Sequence, residues 1–295
     1  MSHLENHSPI VVTGATGMVG RQVVAGLLDA GRTVRGMSRL PQRASLPDGA
    51  DVVFGDLEDP STLRQAFDGA AQLVLIAAPE TVDAVVSRAK QAGVDHVVVV
   101  SSAAVTAGYD TTYNAVVEQA VMGSGLEWSI VRPGEFAANS LLIWGPAIKA
   151  GRRAVEPFPD QIGHPVHEAD IADTVLADLL DPLRRGRIDT IIGPDSLTKR
   201  EQVAVIAEAI GEQIMLEAVS AEDARRFYSA QGGFAAANAQ FLFGFESYDG
   251  VEGVTDEPHN TRAPGDEAYL TLDQITGAPA RTFRRWAHDH VLDFT

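Results

Sequence analysis

Two patterns of apolar and polar positions alternate along the first two-thirds of this 295-residue chain. Short apolar runs rich in Val, Ile and Leu fall at 10–13, 33–37, 51–54, 73–77, 96–101, 128–131 and 190–192. They are apolar throughout rather than at every second residue, as strands covered on both faces should be. Between them, apolar residues recur at helical spacing over 18–29, 60–67, 81–92, 113–123 and 170–180. Strand, helix, strand in repetition predicts a parallel sheet with helices on both sides.

Beyond Gly193 the pattern changes. Thr198-Lys199-Arg200-Glu201 has capping-box form and opens a helical period that runs to Ile210. Residues 215–219 read as one more strand, the single one expected in this part. Ser220 caps a helix reaching about Tyr228. A Gly- and Ala-rich helical region, an acidic loop and a final helix over 279–292 complete the chain. The expected fold is α/β: a doubly wound parallel sheet from 1–134 and 166–195, with a smaller, mainly helical C-terminal lobe from 135–165 and 196–295. That lobe is expected over the C-terminal edge of the sheet, where open α/β folds form substrate pockets.

Composition narrows the function classes. With 45% hydrophobic and 21% charged residues the chain reads as an ordinary soluble globular protein. It has no cysteine, which rules out disulfides and thiolate metal sites and fits a reducing cytoplasm. The first ten residues lack the basic and apolar regions of a signal peptide, and no apolar run approaches the roughly 20 residues that span a bilayer. The formal net charge of −17 argues against a nucleic-acid backbone as partner. Arg184-Arg185-Gly186-Arg187 is the densest basic cluster and reads as a helix end; residues 246–273 carry eight acids against Arg262 and read as a solvated loop.

The candidate chemistry begins at Gly14, Gly17 and Gly20, which follow the first apolar run directly and open the first helix. Gly14 permits a tight turn, Gly17 lets backbone N–H groups approach a pyrophosphate, and Gly20 lets helix and strand pack closely. The helix N-terminus adds orphan N–H donors and partial positive charge. At the end of the second run, where an NAD binder carries an acid for the ribose 2′-OH, the chain reads Met37-Ser38-Arg39-Leu40. Arg39 is suited to a 2′-phosphate, and Ser38 adds a hydroxyl donor, so the expected cofactor is NADP(H).

The Gly-x-x-Gly-x-x-Gly spacing resembles the extended and atypical branches of the short-chain dehydrogenases/reductases. Further segments follow in family order: 34–39 (VRGMSR), 55–63 (GDLEDPSTL), 97–105 (VVVVSSAAV), 124–139 (SGLEWSIVRPGEFAAN), 166–173 (VHEADIAD) and 276–294. Together they are similar to the NmrA-like atypical family, including its NAD(P)H:quinone reductase-like members, over nearly the whole chain. The resemblance implies that Asp56 and Leu57 flank the adenine. It implies that Ala77, Ala78 and Pro79 line the ribose and nicotinamide side. It further assigns Thr16, Met18, Val19, Ser101, Pro133, Gly134 and Phe136 to the cofactor.

Typical reductases of this superfamily use a Ser, a Tyr and a Lys four residues after the Tyr, whose charge lowers the phenol pKa. Ser101, Ser102 and Tyr113 are the candidate catalytic residues here, but the Lys position is Val117. Two readings follow. One is an NADPH-dependent reductase of a carbonyl or quinone-type, aromatic or polycyclic small molecule, working without the Tyr-Lys pair, with solvent or a serine supplying the proton. The other is a non-catalytic NADP(H)-sensing protein that reports redox state to a protein partner. The apolar residues Phe136, Leu141, Leu142, Ile143 and Trp144 favour the enzyme. His164 and His167 lie near Glu168 and Asp170, but no third spaced ligand set accompanies them, and Asp170 is expected to cap the helix at 171–180. No metal site is expected.

Overall fold

The computed structural model describes residues 8–76, 79–242 and 268–295. It divides the chain into two compact units, Met1–Pro133 with Glu168–Thr190, and Gly134–His167 with Ile191–Thr295. Among the described residues no helix is long and apolar enough to cross a membrane.

Numbered along the chain, the first unit holds β1 (Ile10–Val12), α1 (Met18–Asp29), β2 (Val34–Ser38), β3 (Asp51–Phe54), α2 (Leu63–Phe67) and β4 (Gln72–Ile76). It continues with α3 (Val82–Gln91), β5 (His96–Val100), α4 (Ala103–Thr106), α5 (Asn114–Gly123) and β6 (Glu127–Pro133). After the intervening segment come α7 (Glu168–Leu180) and β9 (Ile188–Ile191). Its strands take the order β9-β6-β5-β4-β1-β2-β3. All pairings from β6 through β3 are parallel.

The central strands β1, β4 and β5 are mainly apolar because both faces are covered. Val11, Leu73, Leu75, Val97 and Val99 pack into one core with Phe67 of α2, Val85 of α3 and Val117 of α5. Their sequence neighbours Ile10, Val12, Val74 and Val98, fully buried, point to the opposite face. Helices α1 and α7 pack on each other in the same unit.

The order reverses between β1 and β4, and the chain locks that point with polar atoms. Thr13, fully buried, donates its hydroxyl to the Val74 carbonyl at 3.0 Å and accepts the Ile76 N–H at 2.9 Å. Beside it, Gly14 has φ +58°, the left-handed turn that a side chain disfavours. A Cβ on Gly20 would stand 2.2 Å from the Gly14 carbonyl oxygen, so α1 sits against the turn at a distance only glycine allows.

The second unit holds α6 (Ala138–Gly151), β7 (Arg153–Glu156), β8 (Ile162–Gly163), β10 (Leu197–Thr198), α8 (Lys199–Ile210) and β11 (Met215–Ala218). It ends with α9 (Ala221–Gln231), α10 (Gly233–Leu242), β12 (Tyr269–Leu270), α11 (Leu272–Thr276), α12 (Phe283–Asp289) and α13 (Val291–Phe294). Strands β7 and β11 pair parallel, and β8 and β10 antiparallel. The core is aromatic: Phe283 stacks on Trp286 at 5.0 Å, and Phe294 meets Trp286 edge-on at 6.0 Å. The capping box at Thr198 and Glu201 forms as expected, and Ser220 accepts the Asp223 N–H at 3.1 Å as cap of α9.

Several sequence expectations are corrected here. Asp170 is not a cap: α7 begins two residues earlier at Glu168, and Asp170 is a buried first-turn residue, where a carboxylate complements the helix dipole. The segment 60–67 splits into a 3₁₀ turn (Pro60–Thr62) and α2, with Asp59 accepting the Ser61 N–H. The terminal helix breaks at His290 into α12 and α13. Beyond Gly193 the chain forms β10 and β12 as well as β11; β10 and β12, of two residues each, carry no period to read, and the segment 135–165 adds β7 and β8. Arg184, read as part of a helix end, closes the 3₁₀ turn Pro182–Arg184 and is buried between Asp178 at 2.7 Å and Asp189. Of the acidic stretch, residues 246–267 lie outside the described residues.

Glu156 at the end of β7 is 3% exposed. Burial pushes its carboxyl up to about 7, partly opposed by Lys199 and by the Phe158 N–H at 3.0 Å. The folded chain therefore holds a proton that the unfolded chain has already released between about pH 4.5 and 7. Stability from this group is complete below that window and is lost as pH rises through it, by an amount on the order of 3 kcal/mol. Thermal melts from pH 4.5 to 8 should show this decline in the wild type and a flatter profile in Glu156→Gln. A second test addresses the glycine turn. Gly20→Ala should destabilise the chain by about 1–3 kcal/mol in urea titrations, because the clash is with backbone rather than with a flexible side chain.

Candidate cofactor site

A cleft of about 520 Å³ opens where the sheet order reverses, over the C-terminal ends of β1, β2, β3 and β4. This is where open parallel sheets bind ligands. Gly14 and Thr16 line it from the β1 turn, and Ser38, Arg39 and Leu40 from the end of β2. Asp56 and Leu57 line it after β3, Ile76 and Pro79 after β4, and Tyr113 lies at its margin before α5. Eight residues expected from sequence are thus brought to one cleft: Gly14, Thr16, Ser38, Arg39, Asp56, Leu57, Pro79 and Tyr113.

The turn below the cleft leads into a helix N-terminus, whose amides suit an anion. The Gly17 N–H donates to the Gly14 carbonyl at 2.9 Å and closes the turn. Gly17 then caps α1 with no side-chain hydrogen bond, and the first turn carries no acid. The amides at the start of α1 are left for a ligand. Met18 is half-buried, whereas Val19 and Gly20 are buried under the turn, so any contact of these two with a cofactor is through backbone.

Cations concentrate at the β2 end. Arg39 is exposed and makes no ion pair among the described residues; the same holds for Arg43, which the sequence reading missed. Arg43 ends the 3₁₀ turn Pro41–Arg43, whose Pro41 fixes the chain direction after β2. The proline and the spacing of four from Arg39 were the available signals. The Ser38 hydroxyl accepts the Leu40 N–H at 3.1 Å and keeps its own proton to donate. On the β3 side, Asp56 accepts the Glu58 N–H at 3.0 Å, and the Leu57 carbonyl accepts the Thr81 hydroxyl at 2.6 Å, so both residues are held in place.

The remaining expected residues fall elsewhere. Ser101, Ser102 and Pro133 belong to the first unit but do not line this cleft. The Ser102 hydroxyl accepts the Ala104 N–H at 3.1 Å as cap of α4, a structural task the sequence did not announce. Ser101 donates its hydroxyl proton to Glu118, which the sequence reading also missed. Gly134 and Phe136 belong to the second unit, where the Gly134 N–H donates to the Ile191 carbonyl at 2.8 Å and Phe136 bridges Val166. Trp144 is 3% exposed, and Leu141 and Ile143 pack with it in that unit's core, so packing claims them; Phe136 and Leu142 are half-buried. Ala77 and Ala78 lie outside the described residues. His164 Nδ1 lies 3.1 Å from the Asp195 carbonyl and His167 Nε2 3.4 Å from Asp289. Among the described residues no group of three or more possible metal ligands forms.

The electrostatics of Tyr113 run against activation. Val117, at the usual Lys position, is 1% exposed and part of the core. Asp110 accepts the Tyr113 and Asn114 N–H groups at 2.9 and 3.1 Å, fastening the start of α5. Burial, then Glu80 and Asp110, raise the phenol above the usual tyrosine range. A difference titration at the phenolate absorption band, wild type against Tyr113→Phe, should show this phenol ionising above its ordinary pH.

The comparisons with known proteins agree with this geometry. Residues 14–182 match the NAD(P)H-binding family. A (4-alkanoyl-5-oxo-2,5-dihydrofuran-3-yl)methyl phosphate reductase from Streptomyces griseus is 32% identical, with 97% of this chain and 99% of that protein covered. An NAD(P)H azoreductase from Xenophilus azovorans is 28% identical over 97% and 99%. An NADPH-dependent quinone oxidoreductase from Escherichia coli, solved with NADPH, superposes with a TM-score of 0.71 at 20% identity, covering 96% of this chain and 99% of that one; this likeness is one of fold. The chain belongs to the NAD(P)H-binding family.

Proposed function

We propose that the chain uses NADPH to reduce electron-poor conjugated acceptors, such as quinones, azo compounds and doubly activated enones. The observation that carries the cofactor choice is the pair Arg39 and Arg43, without ion pairs among the described residues, beside the Ser38 hydroxyl at one end of the cleft. A 2′-phosphate bears about two negative charges and matches two guanidinium groups. The carboxylates of the cleft, Asp56, Glu58 and Glu80, stand after β3 and β4 rather than at the end of β2. The glycine turn and the start of α1 would hold the pyrophosphate, and Asp56 and Leu57 the adenine.

Bound NADPH would supply the hydride. The chain's own residues bind and orient, and provide no activated phenol: Val117 carries no charge, and the neighbours of Tyr113 disfavour its ionised form. Chemistry at such a site suits acceptors that need little proton assistance. The relatives' names point the same way. An azo group, a quinone and a 5-oxo-2,5-dihydrofuran with a 4-alkanoyl group each take hydride into a conjugated system that delocalises the resulting charge. Protonation can then follow from solvent.

The test is NADPH oxidation with a quinone, an azo dye, a 2-acylbutenolide and an unactivated cyclic ketone. Turnover is expected with the first three and not with the last. Binding of NADPH without turnover on any acceptor would overturn the enzyme reading in favour of a sensor. Tyr113→Phe should retain activity within about tenfold, since one neutral hydrogen bond contributes about 0.5–1.5 kcal/mol; a positioned general acid would cost about 10²–10⁴ in rate. Calorimetry should show NADPH bound more tightly than NADH. Arg39→Ala and Arg43→Ala should each weaken NADPH by roughly ten- to a hundredfold, with NADH little changed.

A further inference from the structure

A buried charge pair in the first unit stands outside the cleft and bears on Ser101. Glu118 is 1% exposed. Its Oε1 accepts the Ser101 hydroxyl proton and the Arg132 Nε–H at 2.9 Å; its Oε2 accepts a second Arg132 N–H at 2.5 Å. The remaining Arg132 nitrogen donates to Thr106 Oγ1 at 3.2 Å, and Thr106 lies 2.7 Å from the Thr190 hydroxyl. The guanidinium is thus fixed on two sides, and it fixes the carboxylate.

The direction of the Ser101 bond follows from charge. An ionised carboxylate only accepts, and a serine has one proton. With that proton given to Glu118, the remaining lone pairs of Ser101 can only accept. Turning the hydroxyl around would remove a donor from a buried carboxylate, a costly change.

The position of Ser101 in the sheet gives its neighbourhood. It follows β5 directly and stays in sheet register, its N–H donating to the Val131 carbonyl at 2.8 Å. In β5 the preceding residue, Val100, pairs with Ile76, which lines the cleft. The cationic end of the cleft is at β2, on the other side of the glycine turn. A dinucleotide with its pyrophosphate on that turn extends its nicotinamide half towards the β4 and β5 ends.

We propose that Glu118, held by Arg132, is a positioning residue that makes the Ser101 hydroxyl a hydrogen-bond acceptor for an N–H or O–H of the cofactor's nicotinamide half. Ser101 then orients the cofactor and does not protonate the acceptor. The inference rests on the NADPH reading above.

The experiment is a double-mutant cycle on the full chain, read by calorimetry with NADPH. Ser101→Ala should weaken NADPH about twofold to tenfold, the worth of one neutral hydrogen bond, and lower kcat with a quinone less than tenfold. Glu118→Gln should weaken NADPH in the serine background and not further in the alanine background, because it acts through the hydroxyl. NADPH affinity unchanged in Ser101→Ala overturns the proposal. So does a loss of kcat above a hundredfold at unchanged affinity, which would make Ser101 the proton donor. Equal losses from Glu118→Gln in both backgrounds reduce Glu118 to packing and overturn its positioning role. Should Glu118→Gln not fold, Arg132→Lys completes the same cycle with the same outcomes. Failure of the wild type to bind NADPH overturns the function proposed above, and is distinct from every outcome of the cycle.

Discussion

The organisation of the first unit depends on one steric constraint, the approach of α1 to the turn that follows β1. A side chain at residue 20 would overlap the Gly14 carbonyl, so the helix can start where it does only because that position is bare. Starting there, α1 points its N-terminal amides at the place where the strand order reverses. Thr13 holds the same place from below by bonding both the Val74 carbonyl and the Ile76 N–H. The cleft is the consequence. Neighbouring strands leave the reversal with their connections running in opposite directions, and the gap between the connections has to be filled by a ligand or by water.

Charge in this unit is spent on position rather than on activating a phenol. Arg132 with Glu118, and Arg184 between Asp178 and Asp189, are buried pairs. Such pairs gain little net stability over apolar packing, but losing one partner is costly, so they define where their elements sit. Arg184 ties the end of α7 to β9, and Arg132 ties β6 to α5. Around Tyr113 the fields come from acids, and the interior position where a lysine could reverse them is filled by Val117. The cations left unpaired among the described residues at the cleft, Arg39 and Arg43, lie at the other end of the site. This arrangement is what the proposed function rests on: cations for a polyanionic cofactor at one end and no activated phenol at the other.

The sequence by itself determined the sheet. Runs such as 97–100, apolar at every position, have only one comfortable environment, a strand covered on both faces, and their alternation with helical periods leaves few topologies open. The glycine spacing and the acid-free end of β2 were equally legible, because a missing Cβ and a missing charge act locally. The second unit was less legible. Its strands β8, β10 and β12 are two residues long, too short for any period, and exist only because a partner strand or loop is at hand. Only the tertiary structure decided which polar residues meet. Nothing in the local sequence marks Glu118, Arg132 or Arg184 for a buried partner, yet each is drawn inward by a charged group on another element. Ser101 and Ser102 are adjacent and identical in sequence; one is bound to a buried carboxylate and the other caps a helix. Periodicity and missing atoms are properties of the local chain, whereas a hydrogen bond belongs to two groups, and the second group is supplied by the fold.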